Sequence, residues 1–244
     1  MKRKPYFCHV KKVVAQSSVN VKKIIKMKIK VFEFNPIAVN TYILYDKTGE
    51  CVIVDPACYY PDEQRALIKY INDKKLVIKH VLNTHLHFDH VFGANFIESQ
   101  FHVKMEAHKA DEFLIESMND QLAMFGFKPN DDYVPTINKY LNEDDVIEFG
   151  NQKLSIIHVP GHSPGSIVFY NKEEHFIVSG DVLFNGSIGR TDLLQSSHED
   201  LIEGIKTKLF TLPDKTIVYP GHGPATTIGK EKKSNPFFKM ASII

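Results

Sequence analysis

Cysteine and long apolar runs are both scarce in this sequence. The 244 residues include only three cysteines, Cys8, Cys51 and Cys58, which cannot all pair. A disulfide-stabilised scaffold is therefore not expected, and a reducing, cytoplasmic location is. No apolar run approaches the roughly 18 residues that a spanning helix needs, so we expect no membrane-spanning segment. The N-terminal residues are basic but lack the apolar stretch of a secretory signal.

Acidic side chains are absent from the first 26 residues. This segment holds eight Lys/Arg, so the formal charge of +1 combines a +8 extension with a body, residues 27–244, of net −7. An acidic body argues against a nucleic-acid-binding surface. We expect residues 1–26 to be a disordered basic extension, with a targeting segment or an upstream false start before Met27 as alternatives. Residues 27–244 are expected to form a single domain.

Beyond Met27 the apolar pattern predicts alternating strands and helices. Residues 125–144 contain two prolines and little periodicity, which predicts a long loop. This loop is either a lid over a site or a surface excursion whose aromatic side chains pack in the core. The predicted strands are residues 28–34, 41–45, 51–54, 76–82, a short one near 103, 146–149, 154–159, 167–170, 176–179 and 216–219. The predicted helices are residues 61–72, 89–100, 111–124 and 196–209.

Ionisable side chains follow the ends of several predicted strands. The densest group, residues 84–90 (THLHFDH), places four ligand-capable side chains within six residues. Residues two apart in an extended segment point the same way, so His85 and His87 can bind one ion, and Asp89 and His90 at the next helix start suit a second. Imidazole and carboxylate are ligands that Zn²⁺, Fe²⁺ and Mn²⁺ share. Three further candidates lie in glycine-flanked turns or at strand ends: His162 (PGHSPGS), Asp181 (SGD) and His222 (PGHG).

The order of these seven residues resembles the metallo-β-lactamase superfamily from about residue 27 to residue 228. The resemblance implies an αββα sandwich of the α/β class. In that fold two mixed β-sheets pack face to face, helices cover both outer faces, and the metal site lies at one edge. Two divalent metal ions are implied, with Zn²⁺ expected and Fe or Mn as alternatives. The implied ligands are His85, His87 and His162 for metal one, Asp89, His90 and His222 for metal two, and Asp181 as the bridge.

Within the superfamily, the segments around these ligands are similar to hydroxyacylglutathione hydrolases (glyoxalase II). Residues 88–95 (FDHVFGAN) and 180–184 (GDVLF) carry this likeness, and residues 186–192 (GSIGRTD) are closest to a short, bacterial, glyoxalase II-like branch. Asp181 stands where a true β-lactamase has cysteine, and Ala94 replaces a glycine found in many members. Only 22 residues follow His222, so the helical domain that holds glutathione in the long enzymes is not expected, and glutathione recognition is not implied.

The resemblance implies an enzyme, a metal-dependent thioester hydrolase. The expected substrate is an S-acylglutathione such as S-lactoylglutathione, attacked by a hydroxide that bridges the metals. Asp89 and Asp181 are the expected catalytic residues, because as ligands they orient that hydroxide and accept its remaining proton. Arg190 is a candidate for holding a substrate carboxylate, and the alternative is a structural pair with Asp192. The expected partner is a small-molecule thioester, with no nucleic acid and no membrane, and the sequence leaves the oligomeric state open.

Three other functions compete with thioester hydrolysis. A persulfide dioxygenase shares the fold and a similar Gly-Arg-Thr-Asp segment, but it uses a single iron, for which His85, His162 and Asp181 would be the ligands. A lactonase or another ester hydrolase would use the same dinuclear centre. A non-catalytic scaffold would bind metal without turnover. The complete set of seven candidate ligands favours hydrolysis.

Overall fold

The computed structural model describes residues 26–239, so the basic extension that we predict for residues 1–26 lies almost wholly outside it, as does Cys8. No helix in the described part of the chain is long and apolar enough to cross a membrane.

The strands are β1 (Lys28–Phe34), β2 (Val39–Tyr45), β3 (Glu50–Val54), β4 (Val77–Leu82), β5 (Met105–Ala107), β6 (Ile137–Tyr140), β7 (Val146–Phe149), β8 (Gln152–His158), β9 (Ile167–Asn171), β10 (Phe176–Gly180), β11 (Leu183–Phe184), β12 (Ser187–Ile188), β13 (Ile217–Pro220) and β14 (Thr226–Thr227). The helices are α1 (Pro61–Lys74), α2 (Phe88–Val91), α3 (Ala94–Phe101), α4 (Glu112–Glu116), α5 (Met118–Met124), α6 (His198–Thr207) and α7 (Ile228–Ser234), with single 3₁₀ turns at Lys109–Asp111, Asp131–Tyr133 and Leu209–Thr211.

The strands form two six-stranded mixed sheets. The first has the order β1-β2-β3-β4-β5-β6, antiparallel as far as β3 and parallel from there on. The second has the order β14-β13-β10-β9-β8-β7, in which β10 and β13 run parallel and the other neighbours antiparallel. The short strands β11 and β12 pair separately. The expected α/β class with two mixed sheets is confirmed.

Apolar side chains fill the space between the two sheets. Leu44 and Val54 of the first sheet lie in one buried cluster with Phe149, Ile156 and Phe169 of the second. These positions alternate with solvent-facing or helix-facing ones along each strand, as the period of two requires. Burying each such side chain contributes roughly 1.5–3 kcal/mol relative to leaving it exposed. The two sheets are therefore held face to face mainly by hydrophobic burial.

Helices cover the outer face of each sheet. On the first sheet α1 contributes Leu67 and Ile71 to a second buried cluster, and α3 contributes Ile97. On the second sheet α6 buries Leu201 and Ile205 against strands β9, β10 and β13. The expected layers, helix–sheet–sheet–helix, are confirmed. Cys51 and Cys58 are buried free thiols in the first of these helix–sheet interfaces.

The helix predicted over residues 89–100 is two helices, α2 and α3, because the chain turns at Gly93. The Gly93 N–H donates to the carbonyl oxygen of Pro56 at 2.7 Å. A Cβ at Gly93 would lie 2.5 Å from the Cys58 Sγ. This close approach to the segment after β3 interrupts the helical hydrogen bonds. The helix predicted over residues 111–124 is likewise divided into α4 and α5, at Ser117.

The predicted loop over residues 125–144 contains a 3₁₀ turn and a strand, β6, that the prediction missed. This strand is an edge strand with mostly exposed side chains, so it lacks the apolar alternation that identifies strands in a sequence. In the rest of the segment some aromatic side chains pack in the core, as expected for a surface excursion, and one is exposed, as a lid would require. The rings of Phe127 and Tyr133 pack on Tyr59 and Phe92, whereas Phe125 is 41% exposed and lies next to Phe88. A lid function for this segment stays a prediction.

Asp46 connects the two sheets and gives a pH-dependent contribution to stability. Its carboxylate, after β2, accepts hydrogen bonds from the Thr48 N–H at 2.8 Å and the Asn151 N–H at 2.9 Å. Burial raises the pKa of this carboxyl, but the hydrogen bonds from Thr48 and Asn151 outweigh burial and lower it to about 2. We expect Asp46→Asn to cost about 1 kcal/mol of unfolding free energy above pH 4, and this cost to vanish as the pH falls through 2. Urea unfolding of both proteins at several pH values measures it. A difference that does not change with pH would contradict this account.

Candidate metal centre

The seven candidate ligands converge at one edge of the sandwich, beyond the carboxyl ends of four strands. His85 and His87 follow β4, and Asp89 and His90 lie in α2. The remaining three lie in the turns after β8, β10 and β13, which bring together His162, Asp181 and His222. Their side chains form three overlapping groups whose ligand atoms lie within 4.8 Å of one another: His85/His87/His162, His85/His90/Asp181 and Asp89/His90/His222.

The first group is made of imidazoles alone. The Nδ1 of His87 lies 3.0 Å from the Nε2 of His162. The His85 ring is packed against both, with centroids 4.9 Å from His87 and 4.8 Å from His162. All three side chains are buried. Three converging imidazole nitrogens are a ligand set for a first-row divalent metal.

The group of Asp89, His90 and His222 mixes imidazole and carboxylate. Asp181 lies between this group and the group of three imidazoles. The Nε2 of His222 is 3.5 Å from the Oδ2 of Asp89 and 3.3 Å from the Nε2 of His90. Asp181 places its Oδ2 3.6 Å from the Nε2 of His162 and 3.5 Å from that of His222, and its Oδ1 3.5 Å from that of His90. This carboxylate therefore faces ligands of both groups, which is the position that a bridge requires.

Hydrogen bonds at the outer nitrogens orient four of the imidazole rings. The Thr84 hydroxyl donates to Asp55 Oδ2 at 2.7 Å, so at 3.1 Å it accepts from the His85 Nδ1–H. The His90 Nδ1–H donates to the same Asp55 oxygen at 3.0 Å. The backbone carbonyls of Arg190 and Ile37 accept from the Nδ1–H of His162 and of His222, at 2.9 Å and 3.1 Å. In each ring the Nε2 is therefore directed into the centre, as metal-binding histidines require.

Two buried carboxylates around the centre, Asp55 and Asp111, were not among the predicted site residues. Asp55 is fully buried and accepts from the Thr84 N–H at 2.7 Å as well as from Thr84 Oγ1 and His90. Asp111 accepts from the Leu86 N–H at 3.2 Å and from the Ser163 hydroxyl at 2.7 Å. It therefore joins the loop of His85 and His87 to the turn of His162. Burial raises the pKa of Asp111, although the hydrogen bond from Ser163 opposes this.

Only Asp55 carried a signal in the sequence. It precedes Pro56 at the end of a predicted strand that neighbours the strand leading to His85. A carboxylate in that position is a candidate for contact with the ligands, because neighbouring parallel strands end at the same sheet edge. Asp111 appeared in the sequence as an ordinary acidic residue at a helix start, and its contacts depend on residues more than twenty positions away.

Burial and neighbouring charges set the protonation of the two halves of the centre. Burial, together with the surrounding imidazoles, lowers the pKa of His85 well below 6.5 and that of His87 to about 3, so both are neutral at pH 7. Burial also acts to lower the pKa of His90, but the nearby carboxylates, Asp181 first among them, outweigh burial and raise this pKa to about 10. Although burial acts to raise the pKa of Asp89, the His90 charge holds it near 2. A cation that binds at the His90 half displaces a proton.

The donor set and its packing fit divalent metal ions. The Nε2 of His85 and the Oδ1 of Asp181 are buried and make no hydrogen bond within the described residues. Buried polar atoms are seldom left unpaired, and a metal ion supplies the missing partner. A Cβ at Gly221 would lie 2.1 Å from Asp181 Oδ1 and 2.8 Å from the His90 ring. Glycine at 221 therefore lets the backbone approach the ligands closely enough to close one side of the centre.

Arg190 lies beside the centre, and its guanidinium is paired with Asp192. Its Nε and Nη2 donate to the two carboxylate oxygens of Asp192 at 2.6 Å and 2.7 Å. Both side chains are more than half exposed. Arg190 thus forms the structural pair with Asp192 that was the alternative to substrate binding. The backbone carbonyl oxygen of Arg190 also orients His162. Its binding of a substrate carboxylate stays a prediction.

Comparison with known proteins matches this architecture. Residues 34–222 match the metallo-beta-lactamase superfamily. The hydroxyacylglutathione hydrolase GloC of Haemophilus influenzae is 36% identical over 218 residues, which cover 88% of this chain and 100% of that protein. The crystal structure of the B3 metallo-beta-lactamase BLEG-1 superposes with a TM-score of 0.79 at 35% identity, covering 87% of this chain and 100% of that one. TTHA1623, crystallised in a di-iron-bound form, gives a TM-score of 0.75 at 33% identity and covers 85% of this chain and 99% of its own.

An αββα sandwich with a histidine and aspartate cluster at one sheet edge defines a metallo-hydrolase fold with a site for divalent metals. The sequence match extends over most of the chain, from the end of β1 to His222, and this extent is enough to assign the family. The chain belongs to the metallo-β-lactamase superfamily.

Proposed function

We propose that the protein hydrolyses thioesters, with S-acylglutathiones such as S-D-lactoylglutathione as substrates, and that its seven clustered side chains hold two divalent metals, Zn²⁺ first among them. The observation that carries the proposal is the position of Asp181 between the two ligand groups, within 3.6 Å of His162, His90 and His222. A single iron held by His85, His162 and Asp181 would leave Asp89, His90 and His222, which also converge here, without a metal. The relative GloC, which is named as a hydroxyacylglutathione hydrolase, supports the choice of a thioester.

Divalent cations at such a centre acidify a water molecule and act as Lewis acids toward a carbonyl oxygen. His85, His87 and His162 would hold one cation, Asp89, His90 and His222 the other, with Asp181 shared. The remaining chemistry belongs to the two carboxylates. The His90 charge lowers the pKa of Asp89, so this carboxylate is ionised at neutral pH, and we assign to it the proton of the attacking water.

Asp181 orients the nucleophile, because its two oxygens face ligands from both halves of the centre. The water attacks the thioester carbonyl carbon, the C–S bond of the resulting tetrahedral adduct breaks, and the sulfur leaves as a thiolate. A thiolate is a good leaving group, so the reaction needs no strong general acid. Asp55 and the backbone carbonyls of Arg190 and Ile37 orient histidines of the centre. They are therefore engaged in positioning, which agrees with this division of roles.

Parallel assays on S-D-lactoylglutathione and glutathione persulfide test the proposal. The first records thiol release, and the second records O₂ consumption. We expect thiol release that needs no O₂ and stops when a chelator removes the metal. Consumption of O₂ with the persulfide, without release of thiol from the thioester, would establish a persulfide dioxygenase instead. Including a lactone and a simple oxygen ester in the same series separates a thioesterase from a lactonase or general esterase.

Arg190→Ala tests whether this guanidinium binds a substrate carboxylate or only stabilises its own loop. Because Asp192 already occupies both of its donors, we expect the KM for S-D-lactoylglutathione to change by less than about threefold. The unfolding free energy is expected to change by less than about 1 kcal/mol, since the ion pair is exposed. Steady-state kinetics and thermal unfolding measure both, with Asp192→Asn as the matched variant. A tenfold higher KM in Arg190→Ala, with kcat unchanged, would instead establish the carboxylate-binding role.

A further inference from the structure

A cavity of about 340 Å³ opens directly beside the metal centre, and most of its surface is apolar. One wall is formed by α4 and α5, and the facing wall by the loop that follows Arg190. His87, His162 and Asp181 lie where the two walls meet the metal centre. The apolar groove, as we name it, is defined by Phe88, Leu114, Met124, Phe125, Leu193 and Leu194.

The outer part of the apolar groove is formed by large apolar side chains that the chain itself leaves exposed. Met124 is 77% exposed and Phe125 41%, both at the end of α5. Leu194, on the facing loop, is 65% exposed. Exposed apolar side chains that face each other across a cleft are favourable to cover, because covering them removes apolar surface from water. The groove therefore favours a ligand with an apolar body.

Polar groups on the same walls already have partners within the protein. The Gln121 side chain donates to the Leu114 carbonyl at 2.6 Å and accepts from the Phe88 N–H at 3.3 Å. The Ser117 hydroxyl donates to the Phe113 carbonyl at 2.9 Å. A polar substituent lying along this wall would compete with these bonds for the same side chains, so it gains little over its hydrogen bonds with water.

The charges at the rim disfavour an anionic substituent. The Arg190 guanidinium is neutralised by Asp192 through two hydrogen bonds. Asp120, on α5 beside the groove, adds a negative charge to the opposite wall. An anion in the groove would meet this acid without gaining a new cation, whereas an uncharged hydrocarbon group meets neither penalty.

We propose that the apolar groove binds an uncharged hydrocarbon substituent of the substrate and so selects thioesters that carry an aliphatic or aryl group beside the scissile carbonyl. This inference rests on the proposed thioester hydrolysis and narrows the substrate class, because it ranks thioesters with a longer hydrocarbon group above S-D-lactoylglutathione. The same hydrocarbon chemistry can belong to the acyl group or to the thiol, and the groove is open to either. Each methylene that enters it raises kcat/KM about fourfold, the fold-change that corresponds to about 0.8 kcal/mol.

A matched set of thioesters tests the inference on the full-length, metal-loaded protein. Acetyl, butanoyl and hexanoyl thioesters of N-acetylcysteamine vary the acyl group on a small uncharged thiol. The acetyl thioester of hexanethiol places the same hydrocarbon on the thiol side. We expect hexanoyl to exceed acetyl in kcat/KM by tenfold or more, or the hexanethiol ester to do so if the group belongs to the thiol. Equal kcat/KM values across all four would overturn the inference while leaving thioester hydrolysis established.

Substitutions at the rim locate the selectivity. We expect Leu194→Gln and Met124→Gln each to lower the hexanoyl-to-acetyl ratio of kcat/KM threefold or more. Both side chains are exposed, so the fold does not depend on them. Val77→Gln is the matched control, since Val77 is 59% exposed at the start of β4, away from the ligand-bearing strand ends. A ratio that stays unchanged in both rim variants would show that the groove does not set it.

Binding of the carboxylate products separates failure of the groove from failure of the reaction. Calorimetric titration with hexanoate and with acetate needs no turnover. Tenfold tighter binding of hexanoate, lost in Leu194→Gln and kept in Val77→Gln, would support the groove even if no thioester were hydrolysed. Equal binding of the two acids, together with equal kcat/KM for the acetyl thioesters of hexanethiol and N-acetylcysteamine, would overturn it.

Discussion

Asp181→Ala is expected to reduce kcat/KM for thioester hydrolysis by roughly 10²–10³-fold or more and to lower the metal content of the purified protein. Asp181 is the one carboxylate of the centre whose oxygens face His162, His90 and His222 together, at 3.5–3.6 Å. Its loss removes the group shared by both metal positions and the group that orients the nucleophile. Steady-state kinetics and elemental metal analysis of the same preparation measure the two effects.

Asp73→Ala is the control for the Asp181 variant. Asp73 is an exposed carboxylate paired with Lys69 on the surface of α1, so its removal changes the overall charge equally. We expect this variant to keep the wild-type metal content and rate. If Asp181→Ala behaved in the same way as Asp73→Ala, the assignment of the centre would be wrong.

Asp55→Ala is expected to produce the largest loss of stability, about 3–5 kcal/mol of unfolding free energy. The carboxylate is fully buried and accepts from the Thr84 N–H, the Thr84 hydroxyl and the His90 Nδ1–H, so alanine leaves three buried donors unpaired. Because it also orients His90, we expect metal affinity to fall by roughly 10–100-fold. Denaturant unfolding of the metal-free protein and competition titration with a chelating dye measure these quantities.

Asp55→Asn separates the hydrogen bonds from the backbone conformation. Asp55 adopts a positive φ of 50°, which asparagine tolerates better than alanine. We expect the asparagine variant to lose less stability than the alanine variant, while its metal affinity still falls because the charge beside His90 is gone. A loss of under 1 kcal/mol in Asp55→Ala, with metal affinity unchanged, would contradict the role given to this residue.

Much of the fold was predictable because its signals are local. Strand β3 contains a continuous buried apolar run and β4 is rich in Val and Ile, and α1 begins with Pro61 followed by two acids. Helix α7 and the short strands β11, β12 and β14 were also missed, and two further features lack a local signal. Strand β6 is an exposed edge, and the break between α2 and α3 depends on Gly93 touching the Pro56 backbone.

The candidate ligands were predictable for a different reason. Four lie within residues 85–90, and the other three follow strand ends beside glycine, so the spacing itself indicated a metal site. The residues that orient the ligands were harder to find. Asp111 holds Ser163 and Leu86 across more than twenty residues, and the carbonyls of Arg190 and Ile37 act through the backbone, where the identity of the side chain gives no signal.

Titration of the metal-free, full-length chain with Zn²⁺, followed by bound metal and by hydrolysis of S-D-lactoylglutathione in the same samples, tests the central claim most directly. The seven converging side chains predict that both signals saturate at two ions per chain, and that His222→Ala reduces the number to one. Hydrolysis that is absent at two ions per chain, with activity appearing only on one bound iron in the presence of O₂ and a persulfide, would contradict the account.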